Sequence, residues 1–132
     1  MRERKDVALT LELEAADPVV VGDEVQLRQV FVNLVMNALQ AAGDRGGRVT
    51  VRTRLDGAHL IVEVLDDGPG IPPEVAERVF RPFYTTKPRG TGTGLGLPTA
   101  RRIAEIQGGG LELVDGRPGH TTFSVRLLRG SA

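Results

Sequence analysis

Gly90-Thr91-Gly92-Thr93-Gly94-Leu95-Gly96-Leu97 sets glycine at every second position, with Lys87 and Arg89 just upstream. Alternating glycine removes Cβ atoms and admits positive φ, so main-chain N–H groups can approach a ligand closely. An apolar helical pattern begins at Leu97. The loop therefore feeds a helix N-terminus, where unpaired N–H groups and the helix dipole favour an anion. A phosphate cradle is one reading and a Gly/Thr surface loop is the other. The dinucleotide pattern G-x-G-x-x-G fails in every register, and no Gly-Lys pair exists to make a P-loop. The segments on either side have to decide.

Downstream, Leu97, Ala100, Ile103, Ala104 and Gln107 mark a helix that tolerates Pro98 in its first turn and stops at Gly108-Gly109-Gly110. Leu111–Val114 and His120–Leu128 read as strands around an Asp115–Gly119 turn. Upstream, residues 81–96 show no helix or strand period, and loops of that length are functional or disordered. Phe80 and Phe83 are expected to anchor this loop to the core. Pro72-Pro73-Glu74 opens a short helix running to about Val79. Before it, Asp66-Asp67-Gly68-Pro69-Gly70-Ile71 places two carboxylates at a strand end followed by turn residues. Arg48–Arg54 and His59–Leu65 alternate as strands joined by Leu55–Ala58, where Asp56-Gly57 signals an antiparallel hairpin.

The first long helix starts after Gly22, with Asp23 as N-cap. Leu27, Val30, Phe31, Leu34, Val35 and Ala38 form one apolar stripe. Gln29, Asn33 and Asn37 recur every fourth residue, ~40° apart, and make a polar row along its border. Asparagine is a mediocre helix former, so two beside a core stripe point to function more than to solvated surface. A strand is expected over Val7–Glu14, a turn at Ala16-Asp17-Pro18 and a short extended piece at Val19–Val21. The order is that of an α+β protein: a two-layer sandwich with one mixed sheet covered on one face by helices.

The 132 residues suffice for one domain, with no repeat and no interdomain linker. Lys+Arg and Asp+Glu balance at 17 each, which leaves no basic excess for nucleic acid. Cysteine is absent, so disulfide and thiol chemistry are excluded, and His59 and His120 alone make a zinc site a poor expectation. No apolar run reaches membrane-spanning length and no signal peptide is visible. A charged segment leading straight into a strand suits a piece of something longer.

Together these segments resemble the ATP-binding catalytic domain of bacterial sensor histidine kinases, within the superfamily of gyrase, chaperone and mismatch-repair ATPases. Gln29–Ala38 is similar to its asparagine box and Asp66–Ile71 to its first glycine box. Phe80-Arg81-Pro82-Phe83 is similar to its phenylalanine box, Gly92–Leu97 to its second glycine box, and Gly119–Phe123 to its last strand. The resemblance implies a Bergerat-type sandwich with a long ATP lid, mostly antiparallel in its sheet. It implies Mg²⁺ held by Asn37, Asn33 near the phosphates, and Asp66 accepting from the adenine amine. Gly68 and Gly70 would let the backbone pass the base. Lys87 and Arg89 would be lid cations, and Gly92, Thr93, Gly94 and Gly96 phosphate donors. Ile71, Phe80, Phe83, Leu95 and Leu97 complete the implied nucleotide site, with Asn33, Asn37 and Lys87 as its catalytic members.

Hydrolytic relatives carry glutamate where this chain has Asn33. An amide is no general base at neutral pH, so the chain resembles a phosphotransferase more than an ATPase. No phosphoacceptor histidine motif is visible, so the resemblance implies an acceptor on a separate dimerisation domain and, beyond it, a response-regulator partner. A cytoplasmic location without nucleic-acid or membrane contact is expected, whether or not the parent is membrane-anchored. Gln40 and Ala41 depart from the lysine and aromatic residue usual at those places. The Asn-Ala-Leu-Gln-Ala segment and the Phe-Tyr-Thr-Thr-Lys-Pro lid resemble the nitrogen-regulation type. A non-catalytic nucleotide-sensing or docking module and an anti-sigma-factor-type serine kinase are the alternatives.

Overall fold

The computed structural model describes residues 8–13, 22–43, 47–81 and 96–129, the first of these segments by its backbone. The elements are β1 (Ala8–Leu13), α1 (Glu24–Gly43), β2 (Arg48–Asp56), β3 (His59–Asp66), α2 (Pro73–Ala76), α3 (Gly96–Ile106), β4 (Gly110–Asp115) and β5 (Thr121–Leu128). They make one five-stranded sheet in the order β1-β2-β3-β5-β4. β1 lies parallel to β2 and every other pairing is antiparallel. This is the mixed, mostly antiparallel sheet expected from the sequence.

The register follows side-chain alternation. Leu60, Val62 and Val64 of β3 and Phe123, Val125 and Leu127 of β5 are buried in one cluster with α1 and α3. α1 packs on β2 and β3, α3 packs on β4 and β5, and the two helices pack on each other. α1 buries Leu27, Val30, Leu34, Ala38 and Ala42, the heart of the expected stripe extended by one turn. Its first turn is capped as expected, Gln26 N–H donating to Asp23 Oδ1 at 3.0 Å. Gln107, at the end of α3, steadies the same terminus by accepting from Asp23 N–H at 3.1 Å and donating to Gln26 Oε1 at 2.7 Å.

The last two strands, expected at Leu111–Val114 and His120–Leu128, run Gly110–Asp115 and Thr121–Leu128, and the hairpin and the short helix also differ from the sequence reading. The hairpin pairs Asp56 with His59, so Gly57-Ala58 alone form its loop and both strands run one or two residues further than expected. The helix expected to reach Val79 stops at Ala76. Beyond it Arg78 N–H bonds to Val75 O and Arg81 N–H to Arg78 O, tight turns that carry Val79 into the core. The pieces expected at Ala16–Pro18 and Val19–Val21 lie outside the described residues.

Candidate functional site

The polar row on α1 is joined by its own side chains. Gln29 Nε2 donates to Asn33 Oδ1 at 3.0 Å, and Asn33 Nδ2 donates to the Gly96 carbonyl at 3.1 Å. The asparagine box therefore touches the last glycine of the second glycine box, where α3 begins. Asn37, one turn further along α1, is half-buried. Among the described residues no group of three His, Cys, Asp or Glu could hold a metal ion. A metal at Asn37 would take one neutral oxygen from this side chain, a donor set that suits a hard ion ligated mainly by phosphates and water.

Asp66 ends β3 with its side chain buried. Its Oδ1 accepts the Gly68 N–H at 2.9 Å. Burial pushes the Asp66 carboxyl up to about 6, against the Gly68 N–H, which favours the charged form, and with help from the neighbouring Asp67 charge. At neutral pH the group is still mainly ionised and can only accept hydrogen bonds. A Cβ on Gly68 would stand 2.8 Å from Asp66 Oδ1 and 2.9 Å from the Ala41 carbonyl, so only glycine leaves the carboxylate in place. Gly70 has φ +87°, and its Cβ would meet Gly116 O and Pro118 N at 2.7 Å. Ile71 N–H donates to Gly116 O and Gly119 N–H to Gly68 O, which strap this turn to the β4–β5 turn. That second turn is closed by Arg117 donating to Asp115, whose carboxyl is lowered to about 2 by these bonds.

One face of α1 brings the boxes together. Asn33, Asn37 and Ala41 lie four residues apart on it. Asn33 reaches Gly96 at one end and the Ala41 carbonyl faces Gly68 at the other, ~12 Å along the axis, with Asn37 between them. The first aromatic of the phenylalanine box is packed on the core: Phe80 meets Phe123 edge-on at 6.1 Å, with the Arg101 guanidinium 4.6 Å over its ring. Leu97 and Ile71 pack against the same core. Phe83, Lys87, Arg89, Gly92, Thr93, Gly94 and Leu95 lie outside the described residues.

One residue beside the site was missed by the sequence reading. Thr121 is buried and pairs across the sheet with Asp66. Its signal was present in Gly119–Phe123, but nothing local to those letters places β5 against β3. A depression of about 490 Å³ also borders Asp66, lined by Arg48, Thr50, Leu65, Asp67 and His120; neither asparagine lines it. No described helix is long and apolar enough to cross a membrane.

Residues 22–131 match the family described as histidine kinase-, DNA gyrase B-, and HSP90-like ATPase. The sensory histidine kinase/phosphatase NtrB of Salmonella typhimurium is 39% identical over 132 residues, which covers 92% of this chain and 37% of that protein. Sporulation kinase C of Bacillus subtilis is 40% identical over 106 residues, 80% of this chain and 24% of its own length. The chain thus spans little more than a third of the first relative and about a quarter of the second. Among solved structures, the nucleotide-free catalytic domain of histidine kinase ThkA aligns with TM-score 0.82 and 33% identity, over 93% of this chain and 79% of that one. Full-length ShkA in complex with AMPPNP aligns with TM-score 0.73 and 27% identity, over 96% of this chain and 27% of that one. A match of this extent, on a fold whose asparagine row and glycine turns meet along one helix, means that the chain belongs to the histidine kinase-, DNA gyrase B- and HSP90-like ATPase family.

Proposed function

We propose that the chain is the Mg-ATP-binding catalytic domain of a sensor histidine kinase, and that it passes the γ-phosphoryl group of ATP to a histidine on a separate dimerisation domain of its parent. Residues 1–132 are one such domain, placed in the cytoplasm, with the parent's response regulator as an indirect partner and no contact with nucleic acid or membrane. The observation that carries this reading is the face of α1 on which Asn33 meets Gly96 and Ala41 meets Gly68. The AMPPNP carried by the related ShkA supports a nucleotide in this fold.

In this reading Asp66 accepts from the adenine amine, which a buried acceptor-only carboxylate suits. Gly68, Gly70 and Ile71 border the base. Asn37 gives one oxygen to Mg²⁺, and the ion, when bound, neutralises charge on the transferring phosphoryl group. Lys87 and Arg89 serve as lid cations for the phosphates, and Gly92, Thr93, Gly94 and Gly96 donate to them. Leu95 and Leu97 complete the nucleotide site, and Phe80 and Phe83 are the proposed anchors of the lid. Asn33 positions rather than deprotonates: its oxygen accepts from Gln29, its nitrogen donates to Gly96, and an amide takes no proton from water. Phosphoryl transfer needs mainly positioning and charge neutralisation, so a site without a nucleophile suffices.

The test is transfer itself. The chain, mixed with labelled ATP and its parent's dimerisation domain, is expected to give an acid-labile, base-stable phosphate on that domain. No such product under conditions where the intact parent labels itself contradicts the proposal. An acid-stable product points to a hydroxyl acceptor instead.

A further inference from the structure

We propose that Asp67 is a positioning residue for Asp66: its side chain stands in for a main-chain carbonyl at the end of the β2–β3 ladder, and thereby fixes Asp66 and the Gly68–Gly70 turn against the last turn of α1. The inference rests on the nucleotide reading of Asp66 given above.

β2 and β3 pair as far as Val49 and Asp66. The next two residues, Arg48 and Asp67, would ordinarily exchange two main-chain hydrogen bonds. One is present, Asp67 N–H donating to Arg48 O at 3.2 Å. The other is replaced, because Arg48 N–H donates to the Asp67 carboxylate Oδ1 at 2.8 Å. The ladder keeps both bonds while the main chain after Asp67 leaves the sheet. That departure lets Gly68 N–H turn back onto Asp66 Oδ1.

The seat of the Asp67 carboxylate is cut for it. A Cβ on Gly47 would stand 2.0 Å from Asp67 Oδ1 and 2.7 Å from Oδ2. Gly47 N–H in turn donates to Ala42 O, in the last turn of α1, at 3.1 Å. Two adjacent contacts therefore tie the end of β3 to the end of α1: Ala42 through Gly47 to Asp67, and Ala41 to Gly68. The helix so held carries Asn37 one turn earlier. Without the Asp67 acceptor the Arg48 N–H loses its partner, and the distance between the adenine acceptor and the α1 asparagines is no longer set.

Substitutions separate the acceptor from the charge. Asp67→Asn keeps an oxygen for Arg48 N–H and removes the charge; Asp67→Ala removes both. Gly47→Ala leaves Asp67 intact and fills its seat. The ionisable groups bordering Asp66 are Asp67 on its own strand, Arg48 on β2 and His120 ahead of β5, while α1 presents Ala41 there. Only Asp67 differs between wild type and the Asn variant.

Two measurements test this: calorimetric titration of the chain with ADP, and NMR titration of the Asp66 carboxyl without nucleotide. Asp67→Ala is expected to bind ADP about tenfold more weakly, because the charged acceptor that closes the Arg48 end of the ladder is gone. Asp67→Asn is expected to stay folded and within about threefold of wild type, since a neutral acceptor replaces a charge-assisted one. In Asp67→Asn the Asp66 midpoint falls. Gly47→Ala mimics Asp67→Ala, and the double variant is no worse than either single one. Wild-type affinity in Asp67→Ala, an unmoved Asp66 midpoint in Asp67→Asn, or additive losses in the double variant would each overturn the assignment. Should wild type itself not bind ADP, the nucleotide reading fails, and the Asp66 midpoints decide the positioning role by themselves. Asp67→Ala is then expected to differ from Asp67→Asn, which has lost the same charge but kept the acceptor, and equal midpoints in the two variants would overturn it.

Discussion

At the scale of single residues, Asp66 carries opposing demands. Burial raises its carboxyl to about 6, so the folded chain holds that proton more tightly than the unfolded chain does. Its contribution to stability is complete below the ordinary carboxylate range and is lost as pH rises to about 6. Ligand binding has the opposite sign, because the acceptor needed by an adenine amine is the ionised form. ADP affinity is therefore expected to weaken as pH falls through about 6, and calorimetry across that interval would detect it. Asp66→Asn removes the buried charge and replaces part of the acceptor with a donor. It is expected to weaken ADP binding by about tenfold or more while leaving the melting temperature at neutral pH equal or higher. Retained affinity or a collapsed fold would contradict that. Asp66 was legible because a carboxylate at a strand end before Gly-x-Gly is visible in the letters. Thr121 was not, since its place beside Asp66 depends on β5 pairing with β3, a contact between segments separated by α2 and α3.

At the scale of elements, α1 does two jobs with two faces. Its buried face holds the core: Leu34, 1% exposed, packs in the cluster beneath the sheet. Leu34→Ala is expected to cost about 3 kcal/mol in urea unfolding, within the range for buried leucines. Its bordering face carries the asparagines and is held at both ends, by Gly96 and Gly68. Asn37→Ala should remove the Mg²⁺ dependence of ATP binding while changing stability by less than ~1 kcal/mol; an unchanged dependence would show that the metal is held elsewhere. The helix, its cap and its stripe were legible because all three repeat at helical spacing within one segment. The hairpin was legible from Asp56-Gly57. The start of the short α2 was legible from Pro72-Pro73-Glu74 but its end was not, because that is set by Val79 and Phe80 packing into the core, Phe80 against Phe123 and Arg101. Tertiary contact there overrides local propensity.

At the scale of the whole molecule, the sheet order β1-β2-β3-β5-β4 inserts the last strand beside β3. That insertion sets the Gly116–Gly119 turn against the first glycine box, through Ile71 N–H to Gly116 O and Gly119 N–H to Gly68 O. The base-binding end of the proposed site is thus made from the middle and the C-terminal part of the chain, and α1 adds the metal-binding end. The central claim is that these distant segments form one nucleotide pocket. The most direct measurement is an amide NMR titration of the chain with ADP and Mg²⁺. The account predicts that the signals of Asn33, Asn37, Asp66, Gly68 and Thr121 shift together along a single saturating curve. Shifts confined to α1 alone or to the end of β3 alone, or no shift at saturating nucleotide, would contradict it.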